Sequence, residues 1–135
     1  MITAVDTSVL IAITKDEPHA PHWVDVLAAA RIEGDVVFCD VVAAELFALL
    51  MDEGKFRQAV GGLGLLFSPT SMEAARLAGR IFRTYRRQGG PREHLVPDFL
   101  IGAHAQQQAD RIAAIDRGYL RRYFPRLRIV RPASA

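Results

Sequence analysis

Apolar positions along the chain follow two spacings. Short runs rich in β-branched residues, which are typical of buried strands, occupy 2–5, 36–39, 111–115 and 127–130. Longer segments with apolar residues every three or four positions predict helices at about 8–15, 20–33, 41–53, 55–65, 71–88, 97–109 and 117–123. Because strands that alternate with helices form parallel sheets, we expect one α/β domain over residues 1–135, with a central parallel sheet of four to five strands flanked by helices.

The predicted helix at 71–88 has two different faces. Each residue advances about 100° around a helix axis, which places the apolar side chains on one side, at Ala74, Leu77, Ala78, Ile81 and Tyr85. Four arginines form a narrow stripe on the opposite side, at Arg76, Arg80, Arg83 and Arg87. We expect the apolar side to be buried and this arginine stripe to be exposed.

Charge is unevenly distributed, although the net charge is only +2. Residues 1–55 contain ten acidic and three basic residues, whereas 76–92 and 117–131 contain six arginines each and no acidic residue. Arginine is suited to phosphate contacts and to stacking on unpaired bases, so RNA is a candidate partner. An ordinary solvated face or an acidic protein partner is the alternative. The candidate RNA-binding residues are the arginine stripe together with Arg92, Arg117, Arg121 and Arg122.

Neither a signal peptide nor a membrane span is evident in the sequence. The first residues carry no basic region, and no apolar run approaches the roughly 18 residues of a spanning helix, so we expect a cytoplasmic protein. The single cysteine, Cys39, ends the apolar run at 36–39. We expect it to be a small buried side chain rather than a disulfide partner or a zinc ligand.

Three aspartates stand directly after predicted strands, namely Asp6, Asp40 and Asp116. In an open α/β sheet the ligand site lies beyond the carboxyl ends of the strands, so these carboxylates can converge although they are far apart in sequence. Each of them alone is also typical of a helix N-cap.

Two further acids stand in apolar surroundings. Glu45 is the only charged residue in 41–51, and an isolated carboxylate is costly to desolvate unless it is paired or metal-bound. A narrow exposed stripe on the helix is the alternative. Asp98 follows Pro97 at the start of a predicted helix, where a favourable interaction with the helix dipole would also explain it.

Four segments around these acids together resemble the acidic motifs of PIN domains. They are Asp6-Thr7-Ser8-Val9-Leu10, Ala44-Glu45-Leu46, Asp98-Phe99-Leu100-Ile101-Gly102-Ala103, and Asp116 after an apolar run. Successive acids are separated by 39, 53 and 18 residues. That order and spacing in a chain of this length resemble the VapC-type toxins of type II toxin–antitoxin systems.

The resemblance implies one acidic pocket formed by Asp6, Glu45, Asp98 and Asp116. It also implies Mg²⁺ or Mn²⁺ as the cofactor and RNA as the substrate of an endoribonuclease that uses metal-activated water. As partners it implies a cognate antitoxin, whose basic segment reaches the pocket, and a second copy of the chain in a homodimer.

Mg²⁺ retains several waters and binds only one or two carboxylates directly. Asp6 and Asp98 are therefore expected as direct ligands, with Glu45 and Asp116 acting partly through water. Thr7 and Ser8 are expected to bond to these carboxylates or to metal-bound water without binding the metal themselves. None of the four histidines is assigned to catalysis.

Two positions depart from the pattern of these toxins. Ala114 stands where a threonine is common two residues before the last acid, and Asp40 stands where serine or threonine usually begins the helix after the second strand. Asp40 could therefore cap that helix or add a fifth carboxylate to the pocket.

Other functions remain open from the sequence. A haloacid-dehalogenase-type phosphatase also places an aspartate after its first strand, but it usually requires another aspartate two residues later, where this chain has Ser8. A non-catalytic PIN-like module would bind RNA or protein without cutting. The apolar helices at 41–65 could likewise belong to the core or to an interface between subunits.

Overall fold

The computed structural model describes residues 1–92, 94–116 and 118–133. Within this described part of the chain, five strands alternate with seven helices. The strands are β1 (Thr3–Val5), β2 (Val36–Phe38), β3 (Leu66–Phe67), β4 (Arg111–Ala113) and β5 (Arg128–Val130). The helices are α1 (Thr7–Thr14), α2 (Ala20–Glu33), α3 (Asp40–Leu50), α4 (Glu53–Gly62), α5 (Met72–Arg87), α6 (Val96–Gln108) and α7 (Tyr119–Tyr123).

The strands form one parallel sheet in the order β3-β2-β1-β4-β5, which confirms the predicted α/β fold. The chain adds β2 and β3 on one side of β1 and then adds β4 and β5 on the other side. The strand order therefore reverses between β1 and β4. Ligands of open α/β sheets bind outside the carboxyl ends of the strands at such a switch point.

The shortest strand, β3, is not predicted by the hydrophobic pattern. It has two residues, and both Leu66 (52% exposed) and Phe67 (55% exposed) lie largely in solvent. The predicted helix at 55–65 is also wrong at its end, because α4 stops at Gly62. Gly64 has a φ of +68°, a left-handed conformation that glycine adopts without strain and that a helix cannot continue through.

Much of helix α6 is buried. Its residues 101–105 are all buried, and Phe99 is fully buried. A Cβ on Gly102 would lie 2.5 Å from a carbon of the Phe124 ring, so only glycine lets the segment after α7 pack this closely on α6. This packing holds α7 beside the first turn of α6.

Helix α5 has the two faces that its sequence predicts. Ala74, Ala78 and Tyr85 are buried, while the arginine stripe is exposed along its whole length. The helix packs against α6. Its arginines therefore point to solvent on the side of α5 opposite its buried face.

Cys39 is buried, as expected for a core side chain, and burial raises the pKa of its thiol. Among the described residues, no helix combines the length and the apolar character needed to cross a membrane.

Candidate active site

Asp6 stands at the switch point of the sheet, in the first position after β1. Its Oδ2 accepts a 3.2 Å hydrogen bond from the Ser8 backbone N–H and a second hydrogen bond from the Ser8 hydroxyl, so Asp6 is the N-cap of α1. The residue is only 9% exposed. Burial raises the pKa of Asp6; the Ser8 hydrogen bonds oppose that rise, and the charges of Glu45 and Asp98 add to it.

Ser8 also connects the ends of the two strands that flank the switch point. Its Oγ accepts a 3.1 Å hydrogen bond from the backbone N–H of Ile115, which follows β4. The hydroxyl thus bonds to the Asp6 carboxylate and to the neighbouring strand end at the same time. This arrangement holds the Asp6 carboxylate in one orientation.

Glu45 lies on an exposed stripe of α3, and its carboxylate is turned towards α1. The Thr7 hydroxyl donates a 2.7 Å hydrogen bond to Glu45 Oε1. Because Thr7 directly follows Asp6, this bond brings the Glu45 carboxylate to the strand end that carries Asp6.

Asp98 lies in the first turn of α6, and its side chain is about a third exposed. Its Oδ2 accepts a 3.0 Å hydrogen bond from the backbone N–H of Leu95, the N-cap residue. The carboxylate therefore stabilises the N-terminus of its own helix. The His94 ring nitrogen Nδ1 lies 3.6 Å from the same oxygen.

One cavity of about 310 Å³, which we call the acidic cavity, brings three of these carboxylates together. The polar residues that line it are Asp6, Thr7, Ser8, Glu45, His94, Asp98 and Tyr119. Ile11, Ile101 and Ile115 complete its wall. The Ser8 and Thr7 hydroxyls donate hydrogen bonds to two of the three carboxylates, those of Asp6 and Glu45.

Asp116, the fourth predicted acid, has a different setting. Its carboxylate accepts hydrogen bonds from the backbone N–H groups of Gly118 (3.0 Å), Leu120 (3.0 Å) and Arg121 (3.3 Å), and it forms a 3.4 Å ion pair with the Arg121 side chain. The side chain is 5% exposed, and it is not among the described residues that line the acidic cavity. Asp116 therefore anchors the start of α7 beside the cavity.

Tyr119 and His94 line the acidic cavity but are not assigned to it by the sequence. Their rings stack at a centroid distance of 4.5 Å and an angle of 28°. Burial raises the pKa of the Tyr119 phenol, and the charges of Asp6, Asp98, Asp116 and Glu45 all raise it further. The four predicted acids thus surround this phenol, which stays protonated. An aromatic residue three positions after Asp116 is too common a pattern to have predicted this role.

Asp40 does not line the acidic cavity. Its Oδ1 accepts hydrogen bonds from the backbone N–H (2.9 Å) and the hydroxyl (2.5 Å) of Thr70, which follows β3. Partial burial raises the pKa of Asp40, but the hydrogen bonds from Thr70 outweigh that effect and leave the pKa below its usual value. Asp40 therefore joins the ends of β2 and β3, and the possible fifth carboxylate has a structural role.

His104 is buried, with its Nε2 3.0 Å from Ser68 Oγ. Burial lowers the pKa of the imidazole. It is not among the described residues that line the acidic cavity.

The donor atoms of the acidic cavity fit a hard divalent cation, because they are carboxylate and hydroxyl oxygens. Within the described ranges, no group of three or more His, Cys, Asp or Glu side chains lies close enough together to enclose a metal ion. A cation that keeps most of its water needs only one or two direct carboxylates. The residues therefore fit a hard divalent cation held largely through water.

Most of the candidate RNA-binding arginines are exposed. These are the arginine stripe on α5, Arg92 in the loop before α6, and Arg121 and Arg122 on α7. Arg121 also pairs with Asp116. Arg117, the remaining candidate, lies outside the described residues.

The chain matches a known protein family over most of its length. Residues 3–125 match the family model described as the PIN domain. Comparison with curated proteins gives no match.

Solved structures share the fold. A chain of VapBC2 from Rickettsia felis, bound to a DNA fragment from its promoter, has a TM-score of 0.72 and 20% identity, covering 96% of this chain and 98% of that one. A chain of FitAcB from Neisseria gonorrhoeae has a TM-score of 0.67 and 25% identity, covering 98% of both chains. VapC20 from Mycobacterium tuberculosis, described as a Sarcin-Ricin loop cleaving toxin, has a TM-score of 0.59 and 16% identity, covering 87% of this chain and 92% of that one.

Proposed function

Because the chain belongs to the PIN domain family, we propose that it is an endoribonuclease that depends on Mg²⁺ or Mn²⁺ and hydrolyses phosphodiester bonds of RNA. The observation that carries the proposal is the convergence of Asp6, Glu45 and Asp98 on one cavity at the switch point of the sheet. A phosphatase of the haloacid-dehalogenase type belongs to a different family, and this proposal replaces it.

Asp6 and Asp98 are the proposed direct ligands, and Glu45 acts through water. Asp116 instead holds the start of α7, and with it Tyr119, beside the cavity. Ser8 orients the Asp6 carboxylate, and the Leu95 backbone N–H orients that of Asp98. A bound cation supplies Lewis acidity and lowers the pKa of bound water, which provides a nucleophile at neutral pH. The chain then has to position the phosphodiester and exclude competing contacts, and it needs no nucleophilic side chain.

Electrostatics support a cation at this position. The pKa of Asp6 is raised by burial and by the charges of Glu45 and Asp98, so the metal-free carboxylates repel one another. A divalent cation removes this repulsion. The protonated phenol of Tyr119 lies beside the same carboxylates and can donate a hydrogen bond to a phosphate oxygen.

An acidic cavity repels a polyanion unless nearby cations attract it. The arginine stripe lies on α5, the helix that packs against α6. Arg92 precedes α6, and Arg121 and Arg122 lie on α7, so both segments are next to residues that line the cavity. We propose that these arginines bind the RNA backbone, with Arg117 as a further candidate. Binding driven by phosphate contacts weakens steeply with salt.

The toxin role and its partners are further parts of the proposal. VapBC and FitAcB structures share the fold, and we propose a cognate antitoxin whose basic segment covers the acidic cavity. We also propose a homodimer. Exposed apolar residues offer surface for one of these contacts: Leu49 on α3, Met51 directly after it, and Leu66 and Phe67 on β3.

The test is cleavage of a mixed RNA pool by purified, antitoxin-free protein with Mg²⁺ or Mn²⁺ and with EDTA. Cleavage that requires the metal supports the ribonuclease. Absence of cleavage by folded, metal-loaded protein supports the alternative, a PIN-like module that binds RNA or protein without cutting.

A further inference from the structure

A second cavity, of about 390 Å³, adjoins the acidic cavity. Three of its walls are aromatic or planar: the Tyr119–His94 stack, the Tyr123 ring and the Arg122 guanidinium. The Tyr119–His94 stack lines both cavities. Because the two linings share His94 and Tyr119 among the described residues, a strand that passes over this pair of rings can occupy both cavities.

The side chains around the second cavity are suited to a flat, polar ring. The Arg122 guanidinium carbon lies 5.3 Å from the centre of the Tyr123 ring, so a planar cation and an aromatic ring stand together. The Gln88 side chain, which can donate and accept hydrogen bonds, lies 3.4 Å from the Tyr123 hydroxyl. Proteins recognise unpaired bases by stacking on Tyr, His and Arg and by hydrogen bonds to the base edges.

The rim of this cavity is held in place. The Tyr85 hydroxyl donates a hydrogen bond to the Pro91 carbonyl, and the Arg86 side chain donates a 3.0 Å hydrogen bond to the Gly90 carbonyl. A Cβ on Gly90 would lie 2.6 Å from the Tyr85 ring, so glycine allows the loop to pack directly on that ring. The opening is therefore formed before a ligand arrives.

We propose that this second cavity binds one unpaired nucleobase of the RNA strand whose phosphate enters the acidic cavity. The inference rests on the proposed ribonuclease function and adds to it a site for the base next to the cut. Gln88 and Arg122 contact the base edge and face, and the Tyr119–His94 stack forms the wall between base and phosphate.

The experiment measures binding of a six-nucleotide single-stranded RNA in EDTA by fluorescence anisotropy. A series of six RNAs, each with one base removed to leave an abasic site, is compared with the intact RNA. Stacking of one base on aromatic side chains strengthens binding by about 5- to 150-fold, so we expect one abasic position to lose about that much affinity. Cleavage mapped with Mg²⁺ or Mn²⁺ should fall within one nucleotide of that position.

Two double variants make the test specific. Gln88→Ala with Arg122→Ala removes the proposed contacts to the base edge and face but leaves the aromatic rings, so it should reduce the abasic penalty by about 5-fold. Gln107→Ala with Arg126→Ala removes the same types of side chain from exposed positions outside both cavities and should keep the full penalty. Circular dichroism establishes that each variant is folded.

The outcomes separate this inference from the proposed function. If RNA is cut but no abasic position changes the affinity, or if the Gln88 and Arg122 variant keeps the full penalty, the base-binding cavity is refuted and the ribonuclease stands. If one abasic position loses affinity in EDTA but no RNA is cut with metal, the cavity binds a base and the ribonuclease proposal fails.

Discussion

The Thr7 hydroxyl donates a 2.7 Å hydrogen bond to Glu45 Oε1, which links the first residue of α1 to the middle of α3. This bond fixes the Glu45 carboxylate beside Asp6. Residues that orient metal ligands in this way typically contribute 10- to 100-fold to affinity or activity. The structure thus gives Thr7 a measurable role.

Replacement of Thr7 by valine should therefore lower cleavage by about 10- to 100-fold and raise the Mg²⁺ concentration needed for half-maximal activity. Thr7→Ser keeps the hydroxyl and is the matched control, for which we expect activity near that of the wild type. Metal titrations of both variants measure the effect. An unchanged metal requirement in Thr7→Val would mean that the bond to Glu45 does not serve the site.

Asp6→Asn should abolish cleavage and yet stabilise the metal-free protein at neutral pH. The folded-state pKa of Asp6 is raised above 3.8, so protonation of Asp6 stabilises the folded protein. This stabilisation is fully present below pH 3.8 and is lost as the pH rises through the folded-state pKa. Asparagine is uncharged, so it removes the cost of burying an ionised carboxylate, and it still accepts the Ser8 hydrogen bonds.

Thermal unfolding in EDTA at pH 7.5 checks this expectation. Asp6→Asn should unfold at a higher temperature than the wild type, and the difference should shrink below about pH 4. Asp25→Asn, on the exposed side of α2, should unfold like the wild type. A lower unfolding temperature for Asp6→Asn at pH 7.5 would contradict the electrostatic account.

RNA binding should depend on salt according to the number of arginines that contact phosphate. For single-stranded nucleic acid, each neutralised phosphate contributes about 0.7 to the slope of log affinity against log salt concentration. Arg83→Gln with Arg87→Gln should therefore reduce the slope by about 1.4. Arg57→Gln on α4, whose side chain is 77% exposed, is the control and should leave the slope unchanged. Equal slopes for all three proteins would show that the arginine stripe does not contact the RNA phosphates.

His104 should make the protein less stable in mild acid. Burial lowers its folded-state pKa below 6.5, so its contribution to stability is present above pH 6.5 and is lost as pH falls through the folded pKa. The maximum slope for one proton is about 1.4 kcal/mol per pH unit. Urea unfolding between pH 7.5 and 5 should show this loss in the wild type and a flatter profile in His104→Gln. Parallel profiles would exclude His104 as the titrating group.

The features predicted best from the sequence depend on local pattern. Asp6 follows an apolar strand, so its position at the carboxyl edge of the sheet follows from nearby residues alone. Asp98 follows a proline, which predicts its place in the first turn of a helix, and only the resemblance to PIN domains predicts that it lies near Asp6. The two faces of α5 follow from the spacing of its apolar residues and arginines in the same way. Glu45 is identified by its apolar neighbours, although its link to Thr7 requires the packing of α1 on α3.

The features missed depend on contacts between distant segments. His94 and Tyr119 stack only because the close fit of Phe124 on Gly102 holds α7 beside the start of α6. The Asp40 carboxylate bonds to Thr70 because the pairing of β3 with β2 brings the two strand ends together. The strand β3 is too short and too exposed to be predicted from the sequence. The sequence also could not show that the Asp116 carboxylate accepts hydrogen bonds from backbone N–H groups at the start of α7.

The most direct test of the central claim compares RNA cleavage by three proteins. The wild type, Asp98→Asn and the control Asp25→Asn are each assayed with Mg²⁺ or Mn²⁺ and with EDTA. Loss of a direct ligand should cost at least as much as loss of a residue that orients one, so Asp98→Asn should be slower by at least about 100-fold. The wild type and Asp25→Asn should cut only with metal. Cleavage that persists in EDTA, equal rates for Asp98→Asn and the wild type, or no cleavage by any folded protein would contradict a carboxylate–metal ribonuclease.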